Sequence, residues 1–237
     1  MKEHVFYDHL LKPIHEYPVF NSYQTLWWPS ILILFCFSLF VYLRVAAPYK
    51  LVMTFRSSYN IQAIRQLERE EFNPLNPRSY VLSLLYLLLL SFYLFKVNDT
   101  FQYILKEQQP FTQYLFFIAT CIVFHFIKFF LKWLIGLISN TGALTSELLY
   151  TNMVINQSVG IFLLPSIILL EFSVINTFYM LIGIGLLLLA GFLIKLTRGF
   201  IFGVFENQLG LLQVFIYICA LELLPFLVFT KFIVTKF

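Results

Sequence analysis

Six runs of eighteen or more predominantly apolar residues, joined by short polar stretches, leave this chain lipid as the solvent for most of its surface. At 1.5 Å per residue, about twenty helical residues cross the roughly 30 Å hydrocarbon core of a bilayer. No water is available there for backbone N–H and C=O groups, so each run must bond internally as an α-helix. The runs are 27–47, 79–96, 111–135, 153–170, 177–196 and 210–230. They predict an all-α, polytopic transmembrane helical bundle of about six spans. Composition agrees, with 60% hydrophobic and 12% charged residues, against roughly 45–50% and 25% in soluble domains. Residues 27–237 read as a single membrane domain and 1–26 as an extramembrane arm. That arm is polar and aromatic and lacks the short apolar run of a cleavable signal, so the first span is expected to stay as an anchor.

The same composition excludes several functions. The net charge of +4 comes from basic residues spread over the helix ends, where they set topology, so no nucleic-acid partner is expected. Cys36, Cys121 and Cys219 lie inside apolar runs without metal-ligand spacing. His4, His9 and His15 match no i, i+4 metal pair. The chain has no P-loop, dinucleotide glycine fingerprint, zinc-ligand helix or Gly-x-Ser-x-Gly elbow. No cofactor and no metal are therefore predicted.

Along the chain, Trp27-Trp28-Pro29 reads as an interfacial belt with proline in the first helical turn. Residues 48–79 are the one extended polar stretch. Leu51, Phe55, Tyr59 and Ala63 recur every four residues there, which predicts an amphipathic interfacial helix between spans one and two. Asn76 and Pro77 read as N-cap and first residue of the second span.

In the third span Tyr114, Cys121, His125, Lys128 and Lys132 fall within about 60° of one another around the helix. Such a stripe either lines a polar path, or its lysines snorkel to headgroups while His125 bonds a neighbouring helix. Residues 139–157 are broken by Asn140, Gly142, Asn152, Asn156 and Gln157, and a short interfacial or re-entrant helix fits them. Pro165 and Pro225 read as helix breaks. Gly191, Gly199 and Gly203 form a small-residue ridge for close helix packing. Arg44, Lys195 and Arg198 read as inner-interface anchors. With both termini outside, every arginine falls on the inner side, which fixes the expected orientation.

The sixth span carries one carboxylate, Glu222, with Pro225 close behind. Left charged and unpaired in mid-membrane it costs roughly 2.5–3.5 kcal/mol. Keeping it protonated at neutral pH costs roughly 4 kcal/mol, so a partner decides its state. From Gly210 it lies about 18 Å along the helix, near the expected level of Ser91 and Cys121. Glu222, His125, Lys128, Tyr114 and Ser91 are accordingly the candidate intramembrane polar cluster.

Three stretches carry a likeness to a known family: Asn156 to Pro165, Arg198-Gly199, and Tyr217 to Pro225 followed by Lys231. On these the chain resembles an integral-membrane family of Bacteroidota catalogued as domain of unknown function 4271. The resemblance implies the inner membrane of a didermic bacterium and brings no reaction with it.

Three functions stay open from the residues. The first is a non-catalytic component of envelope biogenesis, secretion or a membrane complex, with a membrane-protein partner or a second copy of itself beside the lipid bilayer. The second is a small proton-linked transporter or channel using Glu222 and the His125/Lys128 stripe. The third is an intramembrane enzyme acting on a lipid-linked substrate.

Overall fold

A computed structural model describes residues 27–57, 60, 77–101, 108–138, 142–173 and 175–201. The arm 1–26, the run 210–230 with Glu222 and Pro225, and Gly203 lie outside the described residues, as do Tyr59 and Ala63. Six helices and no strand are found among the described residues: α1 (Trp27–Ala46), α2 (Pro48–Ser57), α3 (Pro77–Phe101), α4 (Pro110–Ile138), α5 (Gly142–Phe172) and α6 (Thr177–Ile201). All but α2 are long and apolar enough to cross a membrane. The protein is a helical membrane bundle.

Local chemistry sets several of the helix ends. Proline opens α3 and α4, where its missing N–H belongs to the turn that has no intrahelical acceptor. Asn176 caps α6, its Oδ1 accepting from the Phe178 N–H at 3.0 Å. At the joint from α3 to α4, Asn98 Nδ2 donates to Gln113 Oε1 at 3.1 Å, and Gln113 Nε2 donates to the Gln108 carbonyl.

Side-chain pairs fix the direction of each helix. Trp28 packs against Phe95 and Tyr114, while Leu43 meets Leu82, so α1 and α4 run opposite to α3. Ser79 pairs with Gln157 and Lys96 with Glu171, so α3 and α5 run the same way. Val159 meets Gly191 and Asn156 meets Lys195, so α6 returns antiparallel to α5. One end of the bundle therefore holds Trp28 and the other holds Arg198.

At the centre stands α5. Within its most apolar window 56% of residues are buried, against 17–22% in α1, α4 and α6. It packs on α3 above all, then on α6, α4 and α2. The main core joins Leu85, Leu89, Phe92 and Phe95 of α3 to Leu163 and Ile167 of α5, with Trp28, Tyr114 and Leu181 closing its sides. The flanking helices turn phenylalanines and leucines outward, such as Phe126, Phe129, Leu186 and Leu193, and these meet lipid.

Three expectations from sequence change here. Residues 142–172 form one uninterrupted helix rather than a re-entrant piece followed by a span. The polar residues that read as breaks, Asn156 and Gln157, bond to side chains of neighbouring helices and so need no chain reversal. Pro165 likewise does not break α5: it stands on an exposed face inside the helix and removes one backbone bond. The buried side of α2 is not the expected apolar stripe either. Leu51 is buried with Lys50, Met53, Thr54 and Ser57, while Phe55 stays largely exposed and rests on the Phe162 ring. The reason is a partner: α2 packs on α5, which offers the Ser158 hydroxyl to its backbone.

Candidate functional site

Polar side chains of the bundle gather in two regions, one near the Trp28 end and a larger one near the Arg198 end. At the Trp28 end Lys96 Nζ and Glu171 Oε2 form an ion pair at 2.7 Å, joining α3 to α5. Tyr93 donates to the Leu181 carbonyl of α6 at 3.3 Å. Trp28 fills a box made by Phe92, Phe95, Phe111 and Tyr114, stacked on Tyr114 with centroids 5.2 Å apart.

Toward the Arg198 end the polar contacts join helices. The Gln157 amide of α5, 1% exposed, donates from Nε2 toward the Ser79 carbonyl, the Ser79 hydroxyl and the Ser83 hydroxyl of α3 at 3.0–3.1 Å. Ser158, the next residue, points the other way and donates to the Thr54 carbonyl of α2 at 2.7 Å. Lys195 of α6 donates to Asn156 Oδ1. Arg198 donates from Nη2 to the carbonyl of Ser57, the last residue of α2. A helix C-terminus leaves its final carbonyls without intrahelical donors, and a guanidinium satisfies one of them here. Among the described residues, Arg198 Nη1, Thr54 Oγ1 and Thr151 Oγ1 at this end are buried without a hydrogen-bond partner.

The candidate residues read from sequence are distributed as follows. Tyr114, Cys121 and Lys132 are buried, with His125 and Lys128 partly so, which makes the third-span stripe an inward face of α4. It is one face but not one site. Tyr114 belongs to the Trp28 box, eleven residues and therefore about 16 Å along the helix from His125. Ser91 is wholly buried; its hydroxyl donates to Leu87 and lies against the Cys121 thiol. His125 Nδ1 stands 3.0 Å from the Cys121 carbonyl, so Nδ1 carries a proton and donates to it. Its ring meets Tyr86 edge-on. Glu222, the fifth member of the proposed cluster, lies outside the described residues.

Among the anchors, Arg44 is exposed in the last turn of α1. Lys195 is half-buried on Asn156. Arg198 differs from expectation: it is 5% exposed and turned under α2 rather than extended to headgroups. Of the glycines, Gly191 receives Val159 so closely that a Cβ there would sit 2.6 Å from its Cγ2. Gly199 is half-buried. Among the described residues no three His, Cys, Asp or Glu side chains are placed to hold a metal.

Sequence reading missed the fasteners Gln157, Ser158 and Thr54, and the Lys96–Glu171 pair. The signal for Gln157 and Ser158 was present: two adjacent polar residues deep in an apolar run face two different helices, because successive residues turn by 100°.

The family model described as "Domain of unknown function (DUF4271)" matches residues 30–233, a stretch that begins in the first turn of α1 and passes all the described helices. The chain belongs to this family. No curated protein and no solved structure matches it.

Proposed function

We propose that this DUF4271 protein is a non-catalytic, multi-pass component of a bacterial inner membrane, serving in a complex of envelope biogenesis or secretion, with both termini on the outer side. One observation carries the reading. A set of polar side chains inside the bundle joins helix to helix: Gln157 to Ser79 and Ser83, Ser158 to Thr54, Lys195 to Asn156, Arg198 to Ser57. That is how a membrane scaffold uses polar groups, since unbonded ones are costly in hydrocarbon.

Charge supports the orientation. Arg44, Lys50, Arg56, Arg78, Lys128, Lys132, Lys195 and Arg198 all belong to the Arg198 end, whereas Lys96 alone of the described basic residues belongs to the other. Cytoplasmic ends carry such an excess. In that orientation the Trp28 end faces outward.

The test is purification of the full-length chain from its native membrane in mild detergent after cross-linking. A stoichiometric membrane-protein partner is the expected result. Isolation as a lone chain that moves protons in liposomes, with flux lost in Lys195→Gln, would replace this reading by transport.

A further inference from the structure

The apolar length of the bundle differs from flank to flank. At the Trp28 end the boundary with the headgroups is fixed by polar groups of three helices at one level: the Lys96–Glu171 ion pair, exposed Asp99 and the α6 cap Asn176. From there α4 turns an apolar face outward from Phe111 to Trp133, about 33 Å, and α6 one from Tyr179 to Phe200, about 32 Å. The cations of both helices turn off that face: Lys128 lies over the Phe124 ring, Lys132 and Arg198 are buried, and Lys195 donates to Asn156. These lengths suit an ordinary bilayer.

The α2 flank is shorter. Met53 packs with Val154, the Thr54 carbonyl accepts from Ser158, and the Phe55 ring rests on Phe162. Three consecutive residues of α2 thus meet three successive turns of α5, so α2 lies across α5. Ser158 is thirteen residues from Glu171, which puts α2 about 20 Å from the Trp28-end boundary. Leu51 gives the same level through Leu82, fourteen residues and about 21 Å from Lys96.

Rotation about α2 shows what each side faces. Phe55 points toward the Trp28 end and Met53 toward the other. At 100° per residue Leu51 falls with Phe55, while Tyr49, Lys50, Arg56 and Ser57 fall within about 60° of Met53. That is the setting of a helix at a bilayer surface, apolar side to the hydrocarbon and basic side to the headgroups. Arg56 is exposed, and so is Arg44, which follows Leu43 of the same cluster. Glu147 of α5 lies eleven residues beyond Ser158, about 16 Å farther toward the Arg198 end, too far to pair with either.

We propose that the α1–α2 flank is a docking surface for phospholipid headgroups of the leaflet at the Arg198 end, drawn about 10 Å toward the bilayer centre, so that the protein thins the membrane on this side alone. Bending one leaflet costs less than holding two arginines in hydrocarbon. The inference does not rest on the scaffold reading, because the only partner it needs is lipid.

The test is thiol labelling of the full-length chain in phosphatidylethanolamine–phosphatidylglycerol vesicles, with a charged, membrane-impermeant maleimide present on both sides. Val52→Cys reports the α2 flank. Leu193→Cys reports α6 at the same level, since Lys195, two residues on, meets Asn156, two residues before Ser158. Both positions are exposed, so neither substitution removes a core contact. The unsubstituted chain supplies the background from Cys36, Cys121 and Cys219. Val52→Cys is expected to react at least about tenfold faster than Leu193→Cys, because a thiol ionises in water and a charged reagent does not enter hydrocarbon. Slow reaction at both positions would put α2 inside a bilayer of ordinary thickness and overturn the proposal. Fast reaction at both, or faster reaction at Leu193→Cys, would move the boundary on every flank or on the wrong one and overturns it as well.

Discussion

Gly160 of α5 lies directly against Tyr86 of α3, and Gly160→Ala tests the packing of these two helices. A Cβ at this position would stand 2.9 Å from Tyr86 Cβ, 3.1 Å from its Cα and 3.4 Å from its N. Carbon atoms sit comfortably at about 3.5–4.0 Å. The opposing atoms are backbone and the root of a side chain, so no rotamer change makes room. The helices must separate by at least about 0.6 Å. A shift of that size carries the Gln157 bonds to Ser79 and Ser83, now 3.0–3.1 Å, to about 3.6 Å, beyond hydrogen-bonding reach. Overpacking costs about 1–3 kcal/mol, and loosening the amide adds to it. The better helix propensity of alanine returns at most about 1 kcal/mol. A net loss of about 1–2 kcal/mol is expected. Gly183→Ala is the matched control on α6, where a Cβ meets nothing within 4 Å, and should be neutral or slightly stabilising. Reversible unfolding of both variants in mixed micelles measures the difference. If Gly160→Ala is as stable as Gly183→Ala, α3 and α5 do not pack at this distance and the central role of α5 falls.

Three further outcomes follow from the same packing. Gln157→Leu keeps the volume but leaves the Ser79 and Ser83 hydroxyls without their amide. It should lose about 1–2 kcal/mol in the unfolding assay, each interhelical bond in lipid being worth about 0.6 kcal/mol and the stranded hydroxyls adding more. Trp28→Ala empties the aromatic box against Phe95 and Tyr114 and should cost about 3–5 kcal/mol, read as a lower melting temperature in detergent. A double-mutant cycle on Lys96→Met and Glu171→Gln should return a coupling of at most about 1 kcal/mol, because both side chains keep some exposure to screening solvent. A coupling well above that would mean the Trp28 end is drier than its exposure indicates.

How much of this was legible in the sequence depends on which physical signal each element carries. The spans were legible because apolar length against bilayer thickness is a strong constraint, and α1, α3, α4 and α6 each hold most of an expected run. The continuous α5 was not, because the usual markers of a helix face fail in a helix buried on most sides. Its apolar residues lie all round, so periodicity carries no direction, and its polar residues read as interruptions. Arg198 was misread for a related reason. An arginine at the end of a span normally extends to the headgroups, and nothing local in α6 reveals that α2 folds over it.

The polar residues of α5 become informative once they are treated as markers of contact. Gln157 and Ser158 are adjacent and therefore face directions 100° apart, one toward α3 and the other toward α2. Asn156, one residue earlier, faces α6. Three consecutive polar residues thus address three separate helices, and an apolar replacement of any one loosens a different seam.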